Sequence, residues 1–392
     1  MLKFGGIEKE DKMADRVGIV EVAMTPGAET KDYFLDQVFK TTKEVLDKAG
    51  LKRDEVGTVI SASSDVFHSG MSCANSYYWD AGAAFLKNGS RQDGESLFAF
   101  IYAVMRILSG NYDTALVLGV CKGSENPEND MLTHFFTDPF YQRQVGLNET
   151  LAAAIQKREY MDRYGVTQEQ CAGVVVKNLK NALRNPYAHI KKNIDIGDVT
   201  SSEMVMDPLW GIECAPKSEG IIALLLAKED VAKKLTDKPV WFRGYGSSID
   251  KFYLGDRDLL EGQLPAAAKR AYDAAGIKEP SKEIDVAEIC EPYAFQELLW
   301  YEDLGFCGRG EGGTFFESGA TQRDGAIPVN PSGGVLAMNP YVSRGLYRLA
   351  EGFLQVRGQA GERQLDKTVN TALAHSTHGF AGQCHAVAVI GS

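Results

Sequence analysis

The segment Ala49-Gly50-Leu51-Lys52 has a counterpart, Ala275-Gly276-Ile277-Lys278, 226 residues further along the chain. Each segment ends an apolar stripe with helical spacing, and glycine is the residue most often found just past a helix C-terminus. Because apolar runs typical of strands flank both predicted helices in the same order, the sequence predicts an internal duplication of an α/β unit with mainly buried strands. These predicted strands are residues 17–22 and 56–60 in the first copy and residues 240–243 and 284–289 in the second.

A helix with almost no polar face is predicted at residues 95–108, after the first copy. Its apolar residues are Leu97, Phe98, Phe100, Ile101, Tyr102, Val104, Met105, Ile107 and Leu108. A helix that is apolar nearly all round is a buried helix, and the continuous apolar run at residues 114–120 predicts a central strand after it. The equivalent helix and strand of the second copy are predicted at residues 345–356 and 370–374.

Three regions follow from this layout. Residues 1–120 are predicted to form an N-terminal lobe, and residues 240–392 a C-terminal lobe. The region between them, residues 121–239, carries polar loops and helices near 149–163 and 168–184, and it is too long for a plain connection. We expect it to supply a loop domain over the site together with the remainder of the N-terminal lobe.

Composition narrows the class of protein. The chain has 392 residues, 44% hydrophobic and 24% charged, as in an ordinary globular protein. No stretch approaches the roughly 20 apolar residues that span a bilayer, and residues 1–6 lack the apolar core of a signal peptide. A net charge of −11 argues against nucleic acid as the main partner. Seven cysteines without a C-x-x-C pair indicate no zinc or redox motif and suit a reducing cytoplasm, so we expect a cytoplasmic protein without a bound metal.

Four loops are predicted to carry the chemistry. Buried helices that begin in a loop present free N–H groups and a positive dipole end, which favour a nucleophile or an anion. Three of the six histidines lie in the last of the four loops, which precedes the final strand at 386–390. If the two copies pack about a pseudo-twofold axis, the loops converge. They comprise residues 91–94, 288–293, 338–341 and 375–385.

Longer segments resemble the thiolases of the sterol-carrier-protein type, and the likeness spans nearly the whole chain. It implies a duplicated five-layer α/β thiolase fold with an inserted loop domain, a homodimer core, acyl-CoA substrates with CoA as co-substrate, and no covalently bound cofactor. The segments are specific to the thiolase superfamily only when taken together. They are Glu297-Leu298-Leu299-Trp300-Tyr301-Glu302-Asp303-Leu304-Gly305-Phe306-Cys307, Gly310-Glu311-Gly312-Gly313, Pro328-Val329-Asn330-Pro331-Ser332-Gly333-Gly334, Thr137-Asp138-Pro139, Asn185-Pro186-Tyr187-Ala188, Asp207-Pro208-Leu209 and Ser218-Glu219-Gly220.

The catalytic positions implied by this resemblance depart from the family pattern. The nucleophilic cysteine at the start of the buried helix falls on Asp93, and the His-Asp-Cys-Phe segment falls on Cys290-Glu291-Pro292-Tyr293. The histidine of the Gly-His-Pro segment falls on Asn339, and the late acid/base cysteine falls near His378. The predicted catalytic set is Asp93, Cys290, Asn339, Tyr341 and His378, and the residues expected to contact substrate or CoA are Gly333, Gly334, His375, Gly379 and Cys384.

Several of these residues also have a structural interpretation. Asp93 can simply cap the helix, since aspartate is a preferred N-cap. Cys290 can be an inert buried thiol, and Tyr341 can serve packing instead of acid catalysis. Asn339 has a better chemical case, because its amide can donate to a thioester or ketone oxygen as an oxyanion-hole residue.

The histidines are harder to separate. One of His375, His378 and His385 is expected to be an acid/base, and His378 fits best by position. Two other histidines, His68 and His134, are assigned to the surface or to structure, as is Cys73.

Three reactions remain open when the nucleophile is missing. The acyl-cysteine of ordinary thiolases needs an activated thiolate, and a carboxylate at Asp93 would give a hydrolysis-prone anhydride. Direct acyl transfer between two CoA molecules in a ternary complex is the first option, with positioning and an oxyanion hole compensating for the missing nucleophile. Retro-aldol cleavage of a β-hydroxyacyl-CoA is the second, although steroid side-chain aldolases resemble a Tyr-Asp-His-Phe pattern that this chain lacks. A non-catalytic scaffold is the third.

Direct transfer is the favoured reaction. The chain is similar to thiolase-like subunits that pair with a small zinc-ribbon/OB-fold protein in anaerobic aromatic breakdown, such as those of benzoylsuccinyl-CoA thiolases in toluene degradation. This likeness implies a hetero-oligomeric acyltransferase that cleaves a β-ketoacyl-CoA with CoA, or runs the reverse Claisen condensation.

Overall fold

The computed structural model of the chain describes residues 16–68 and 80–392. Its strands are β1 (Val17–Met24), β2 (Thr58–Ser63), β3 (Asn88–Asp93), β4 (Thr114–Lys122), β5 (Met204–Met206), β6 (Leu209–Trp210), β7 (Glu219–Lys228), β8 (Val240–Ile249), β9 (Val286–Glu288), β10 (Thr371–His378) and β11 (Cys384–Gly391). Its helices are α1 (Phe34–Ala49), α2 (Ser96–Leu108), α3 (Asn129–His134), α4 (Glu149–Tyr164), α5 (Gln168–Ala182), α6 (Ile196–Thr200), α7 (Glu229–Leu235), α8 (Leu264–Ala275), α9 (Pro280–Glu283), α10 (Ala294–Asp303), α11 (Gly312–Glu317), α12 (Gly334–Ala337) and α13 (Arg344–Arg357). Both predicted glycine stops, Gly50 after α1 and Gly276 after α8, adopt the left-handed conformation that ends a helix.

Nine of these strands form one mixed sheet in the order β3-β2-β4-β7-β1-β8-β11-β10-β9. In the first copy β2 is parallel to β3 and β4, whereas β7 is antiparallel to both β4 and β1. The second copy repeats these directions, because β9 is parallel to β10 and β11 is antiparallel to both β10 and β8. Val329 forms a parallel bridge with Ala287 of β9, in the position that β3 holds beside β2. The strand pattern therefore agrees with the predicted duplication.

The two copies share a central layer of helices. Their strands meet at β1 and β8, which are joined by only two residue pairs, Gly18 with Trp241 and Ile19 with Val240. Helices α2 and α13 pack on each other and on strands of both copies. The outer face of the first copy is covered by α1 and α7, and that of the second by α8. The order of layers is helix, sheet, helix pair, sheet, helix, so the predicted five-layer α/β fold is confirmed.

Helix α2 is less buried than its composition predicts. Leu97, Phe100 and Val104 are fully buried, whereas Met105 is 59% and Tyr102 36% exposed. Apolar residues on every face of a helix favour burial of every face, but they do not identify the element that covers each one. In this chain an apolar row on α2, near the edge strand β3, stays uncovered.

The middle region packs over the second copy. Helix α5 lies against α10, α11 and α12, and Lys177 of α5 forms a fully buried ion pair with Glu297 of α10. Strand β7 then returns the chain to the sheet of the first copy. This packing brings the start of α4 close to the ends of the central helices, where the site lies.

One carboxylate connects the starts of the two central helices. Glu95 is the N-cap of α2 and accepts a hydrogen bond from the Leu97 amide at 2.7 Å. It also accepts one from the Gly345 amide of α13 at 2.7 Å, and Ser96 Oγ accepts another from the Leu346 amide at 3.0 Å. Two positive dipole ends therefore face the same buried carboxylate, which is a stabilising arrangement.

The Glu95→Ala variant is expected to be about 3 kcal/mol less stable than wild type, because it leaves two buried amides without an acceptor. Chemical denaturation measures the difference. Glu44→Ala is the matched control, since Glu44 pairs with Lys48 on an exposed helix surface and its loss should cost less than about 0.5 kcal/mol. Equal effects in the two variants would contradict the bridging role of Glu95.

One predicted boundary near the site agrees with the structure and another was wrong. The second central helix begins at Arg344, one residue before its predicted start at residue 345, and residues 338–343 form the turn ahead of it. Residues 375–385 are not one loop, because β10 continues to His378 and β11 begins at Cys384, which leaves only a tight turn at 379–383. Hydrogen bonds between β10 and β11 extend the hairpin further than sequence alternation indicated.

Candidate active site

A cavity of about 340 Å³ opens where β3, α13 and β10 meet; we call it the first cavity. It unites four residues of the predicted site: Asp93 ends β3, Tyr341 lies in the turn before α13, His378 ends β10, and Gly379 follows it. The convergence of these three loops agrees with the sequence analysis. The full lining is Ser64, Asp93, Gly94, Thr133, Phe136, Glu149, Phe252, Tyr341, His378, Gly379, Phe380 and Gln383.

Asp93 presents an accessible carboxylate to this cavity. Its side chain is 64% exposed, and Oδ2 lies 3.6 Å from Nη2 of Arg91, which also pairs with Asp65. The capping interpretation of Asp93 was wrong, because the N-cap of α2 is Glu95. Asp93 is free to act on a neighbouring group instead of closing the helix.

His378 is that neighbour. The pKa of His378 is lowered to about 4, mainly by burial and also by the positive charge of Arg344. The negative charge of Asp93 acts in the opposite direction. A Cβ at position 94 would lie 3.8 Å from His378 Nε2, so the glycine leaves room beside that nitrogen. At pH 7 the ring is neutral, and its free nitrogen is able to accept a proton.

Tyr341 is held from three sides. Its ring stacks on Phe67 with centroids 4.0 Å apart, and the Arg344 guanidinium carbon lies 4.5 Å from the ring centroid. The Glu149 side chain lies beside Tyr341, and both residues line the first cavity. Burial raises the pKa of Tyr341 well above its ordinary value, and the Glu149 charge adds to that rise. Tyr341 is therefore a neutral phenol with a fixed orientation toward the cavity.

Glu149 is a site residue that the sequence analysis missed. It is the first residue of α4, is 7% exposed, and has a pKa raised by burial above the ordinary glutamate value. In the sequence it follows Asn148, the N-cap, and an acidic residue in the first helical turn has an ordinary explanation. Only the tertiary approach of α4 to Tyr341 distinguishes it.

Arg344 places a buried positive charge behind the site. It is 1% exposed, donates to the Thr377 carbonyl oxygen at 2.7 Å, and lies 3.5 Å from Asn339 Oδ1. Its Nε has no hydrogen-bond partner, and within the described ranges no carboxylate forms an ion pair with it. The guanidinium is thus available to stabilise negative charge that develops on Tyr341.

Cys290 does not reach the first cavity. It is fully buried, and burial raises its pKa to about 12. Its amide faces His375 Nδ1 at 3.4 Å, an interaction of the second copy's interior. The geometry agrees with an inert thiol and not with a nucleophile, which needs an accessible thiolate.

Asn339 lies behind the first cavity and lines a neighbouring one. It is 4% exposed, and its backbone amide donates to Ser218 Oγ at 3.1 Å. Asn339 and Tyr341 therefore line different cavities, although they belong to the same predicted loop. Its function as an oxyanion-hole donor stays a prediction.

His375 and His385 form a buried pair. Their rings are stacked, with Nε2 of His375 3.0 Å from Nδ1 of His385, and both pack edge-on against Trp300. Burial lowers the pKa of His385 to about 3 and that of His375 well below its usual range. The side chain of His375 is enclosed, and its contact with a ligand stays a prediction.

The predicted glycine contacts divide in the same way. Gly379 lines the first cavity, whereas Gly333 and Gly334 start α12 in the left-handed region. A Cβ on Gly334 would lie 1.9 Å from Glu291 Oε1, and one on Gly333 2.7 Å from the Ala182 Cβ. These two glycines allow close packing and do not line the first cavity, and their contact with substrate or CoA stays a prediction.

Four residues of the prediction remain. Cys384 is half-buried at the start of β11, with a pKa raised by burial to about 11, and it does not line the first cavity. His134 donates from Nδ1 to the Leu147 carbonyl oxygen, 2.9 Å away, in agreement with a structural role. Cys73 and the side chain of His68 lie outside the described residues.

Neither a metal site nor a membrane span is evident in the described parts of the chain. Residues 16–68 and 80–392 contain no cluster of three or more His, Cys, Asp or Glu arranged to bind a metal ion. None of the helices in these ranges combines the length and apolar character that a bilayer crossing requires.

Known proteins share both sequence and fold with this chain. The family described as "Thiolase C-terminal domain-like" matches residues 246–392. The acetyl-CoA acetyltransferase of Methanothermobacter thermautotrophicus is 34% identical over 282 residues, which cover 71% of this chain and 73% of that protein. The chain belongs to the thiolase superfamily.

Other relatives specify the branch. Sterol carrier protein 2 of Oryctolagus cuniculus is 34% identical to this chain. The matched region covers 56% of this chain and 41% of the sterol carrier protein. The benzoylsuccinyl-CoA thiolase subunit BbsB of Thauera aromatica is 31% identical, over 58% of this chain and 59% of its own length. The solved structure of an Ltp2-ChsH2(DUF35) aldolase has the same fold, with a TM-score of 0.80, 21% identity, and coverage of 97% of this chain and 98% of that one. Membership of the sterol-carrier-protein-type branch of thiolase-like enzymes is confirmed.

Proposed function

We propose that the chain cleaves a β-ketoacyl-CoA with free CoA, or runs the reverse Claisen condensation, by passing the acyl group directly to the incoming thiol. The observation that carries this proposal is the lining of the first cavity: Asp93, His378 and Tyr341 lie there, and no cysteine of residues 16–68 and 80–392 does. An acyl-enzyme would need a thiolate at the reacting carbon. In direct transfer, CoA supplies the sulfur nucleophile.

His378 and Tyr341 divide the proton transfers. Neutral His378 accepts the thiol proton of CoA, and the Asp93 carboxylate stabilises the imidazolium that forms. The thiolate attacks the β-keto carbon, the bond to the α-carbon breaks, and its electron pair moves into a thioester enolate. Tyr341 then gives its phenolic proton to the α-carbon, while the cation of Arg344 stabilises the phenolate. One thioester and one thiol thus become two thioesters.

The apolar wall of the cavity supports a bulky acyl group. Phe136, Phe252 and Phe380 line it beside the polar residues, and aromatic rings stack favourably on one another. The relative BbsB is named for benzoylsuccinyl-CoA. We therefore propose an aromatic β-ketoacyl-CoA as substrate, with benzoylsuccinyl-CoA as the first compound to assay.

We also propose a homodimer core joined by a small zinc-ribbon/OB-fold subunit. The uncovered apolar row on α2, near the edge strand β3, supports the dimer. The structural neighbour is an aldolase named together with a DUF35 protein, which supports the second subunit. Activity is expected to rise when a co-encoded zinc-ribbon protein is added to the purified chain. Full turnover by the chain alone would contradict this expectation.

Retro-aldol cleavage of a β-hydroxyacyl-CoA is the second candidate. This reaction needs a base and an acid but no thiol, and His378 and Tyr341 would serve as that base and that acid. The products separate the two candidates. A thiolase consumes free CoA and yields two thioesters, whereas an aldolase needs no CoA and releases an aldehyde or ketone. Incubation with matched β-keto and β-hydroxy substrates, with and without CoA, decides between them.

The Cys290→Ala variant is expected to keep kcat within about threefold of wild type, because its thiol takes no part in direct transfer. Initial-rate plots against both substrates should intersect, since acyl-CoA and CoA must be bound together. Intact-mass spectrometry with a labelled acyl-CoA should show no adduct. Cys307→Ala is the matched control, being a half-buried thiol away from the first cavity. An acyl adduct on any of the seven cysteines, together with parallel plots, would restore an acyl-enzyme mechanism.

A further inference from the structure

Glu149 lines two cavities. In the first cavity it lies beside Tyr341. The second cavity, of about 270 Å³, lies on its other side and contains neither His378 nor Asp93. The lining of this second cavity is Glu128, Asn129, Asp130, Glu149, Thr150, Cys214, Ala215, Lys217, Pro292, Tyr293 and Asn339.

The wall of the second cavity is polar and hydrogen-bonded. Asp130 Oδ1 accepts from the Thr150 hydroxyl at 2.8 Å, and that hydroxyl lies 3.0 Å from the Tyr293 hydroxyl. At the outer side Lys217 pairs with Glu128, whose side chain is 80% exposed. Polar groups from the exposed surface to Glu149 are suited to hold water molecules, which need two to four polar partners.

We propose that Glu149 is a proton relay: it takes protons from the second cavity and passes them to Tyr341, while substrate fills the first cavity. The inference rests on the proposed function in one respect, the enolate that must be protonated. An acyl-CoA seated in the first cavity shields Tyr341 from solvent on that side. Glu149, which lines both cavities, then connects Tyr341 with the second cavity.

The proton transfers balance. The α-carbon of the enolate takes the phenolic proton of Tyr341 as its O–H bond breaks, and the phenolate takes the carboxylic proton of Glu149. A water molecule in the second cavity then restores that proton. The proton that His378 took from CoA leaves through the first cavity with the products. Each turnover therefore moves one proton in through Glu149 and one out from His378.

Burial supports this assignment. Raising the pKa of Glu149 keeps its proton on the carboxyl group more often than at an exposed glutamate. The guanidinium of Arg344, which stacks on Tyr341, stabilises the phenolate between the two transfers. Glu149 acts through Tyr341, and so its effect should appear in proton-transfer rates and not in substrate affinity.

The Glu149→Gln variant is expected to lower kcat by about 10²-fold with KM within about twofold, and to raise the solvent deuterium isotope effect on kcat. Glu149→Asp should restore part of the rate. Ala215→Phe, which fills the second cavity without touching the first, should lower kcat on the order of tenfold and add nothing in the Glu149→Gln background. Ala215→Ser is its matched control and should behave as wild type.

Two readouts separate failure of the relay from failure of the proposed function. A wild-type enzyme that turns over, together with unchanged rates and isotope effects in Glu149→Gln and Ala215→Phe, would overturn the relay alone. Infrared spectra of the resting protein, recorded over a pH titration, require no turnover. A carboxylic-acid carbonyl band that persists to higher pH than the bands of exposed glutamates, shifts in D₂O and is missing from Glu149→Gln supports the relay. Identical spectra of the two proteins would overturn it, even if no substrate is cleaved.

Discussion

The His378→Asn variant is expected to have a kcat about 10³-fold below that of the wild-type enzyme, within the range that removal of a general base produces. Asparagine has a similar size and keeps one donor, but it cannot accept the thiol proton of CoA. The loss should appear in kcat, since CoA still binds. Steady-state rates with CoA as the varied substrate measure it.

The control for this variant is His134→Asn. His134 lies on α3 with its ring held by the Leu147 carbonyl, outside the lining of the first cavity. Its loss should leave kcat close to wild type. A further check uses the thiol itself: because His378 is needed to form the thiolate, raising the pH should recover part of the rate of His378→Asn. Equal rates for both histidine variants would remove His378 from the mechanism.

Tyr341→Phe is expected to lower kcat by at least about 10²-fold, because the enolate then lacks its proton donor. The ring is retained, and with it the stacking on Phe67 and the contact with the Arg344 guanidinium. Thermal stability should therefore change little. Transfer of the acyl group to CoA and release of the second thioester, followed separately by rapid quenching, should show that the second step is the slow one.

Tyr347→Phe is the matched control for the phenol. Tyr347 is a buried tyrosine of α13 whose hydroxyl donates to the Thr25 carbonyl at 2.8 Å, away from the first cavity. Its removal should cost about 1 kcal/mol of stability, the usual net worth of one hydrogen bond, and leave kcat unchanged. A Tyr341→Phe enzyme with the wild-type rate would assign the acid to another group.

The fold was predictable because it depends on patterns that repeat. The apolar stripes before Gly50 and Gly276 and the buried runs on either side of them record the packing of each copy directly. The sequence also predicted that the loops carrying Asp93, Tyr341 and His378 converge, and these three residues line the first cavity.

The errors arose where tertiary contacts decide. Nothing in the sequence distinguishes Glu149 from an ordinary acidic residue in a first helical turn, and its importance comes from the packing of α4 beside Tyr341. Cys290 and His375 lie in plausible loops, but both are enclosed by the second copy. Burial of a loop residue depends on what covers it, and this information is spread over distant parts of the chain.

The central layer also bears on how this architecture arose. The strands of each copy have one face that packs on α2 and α13, so one copy by itself would expose an apolar surface there. An ancestral chain that held a single copy would have needed a second molecule of itself, with the two helices crossing between them. Fusion of two such copies would make that partner part of the same polypeptide. It would also allow each half to diverge, in keeping with a cavity to which β3 contributes Asp93 and β10 contributes His378.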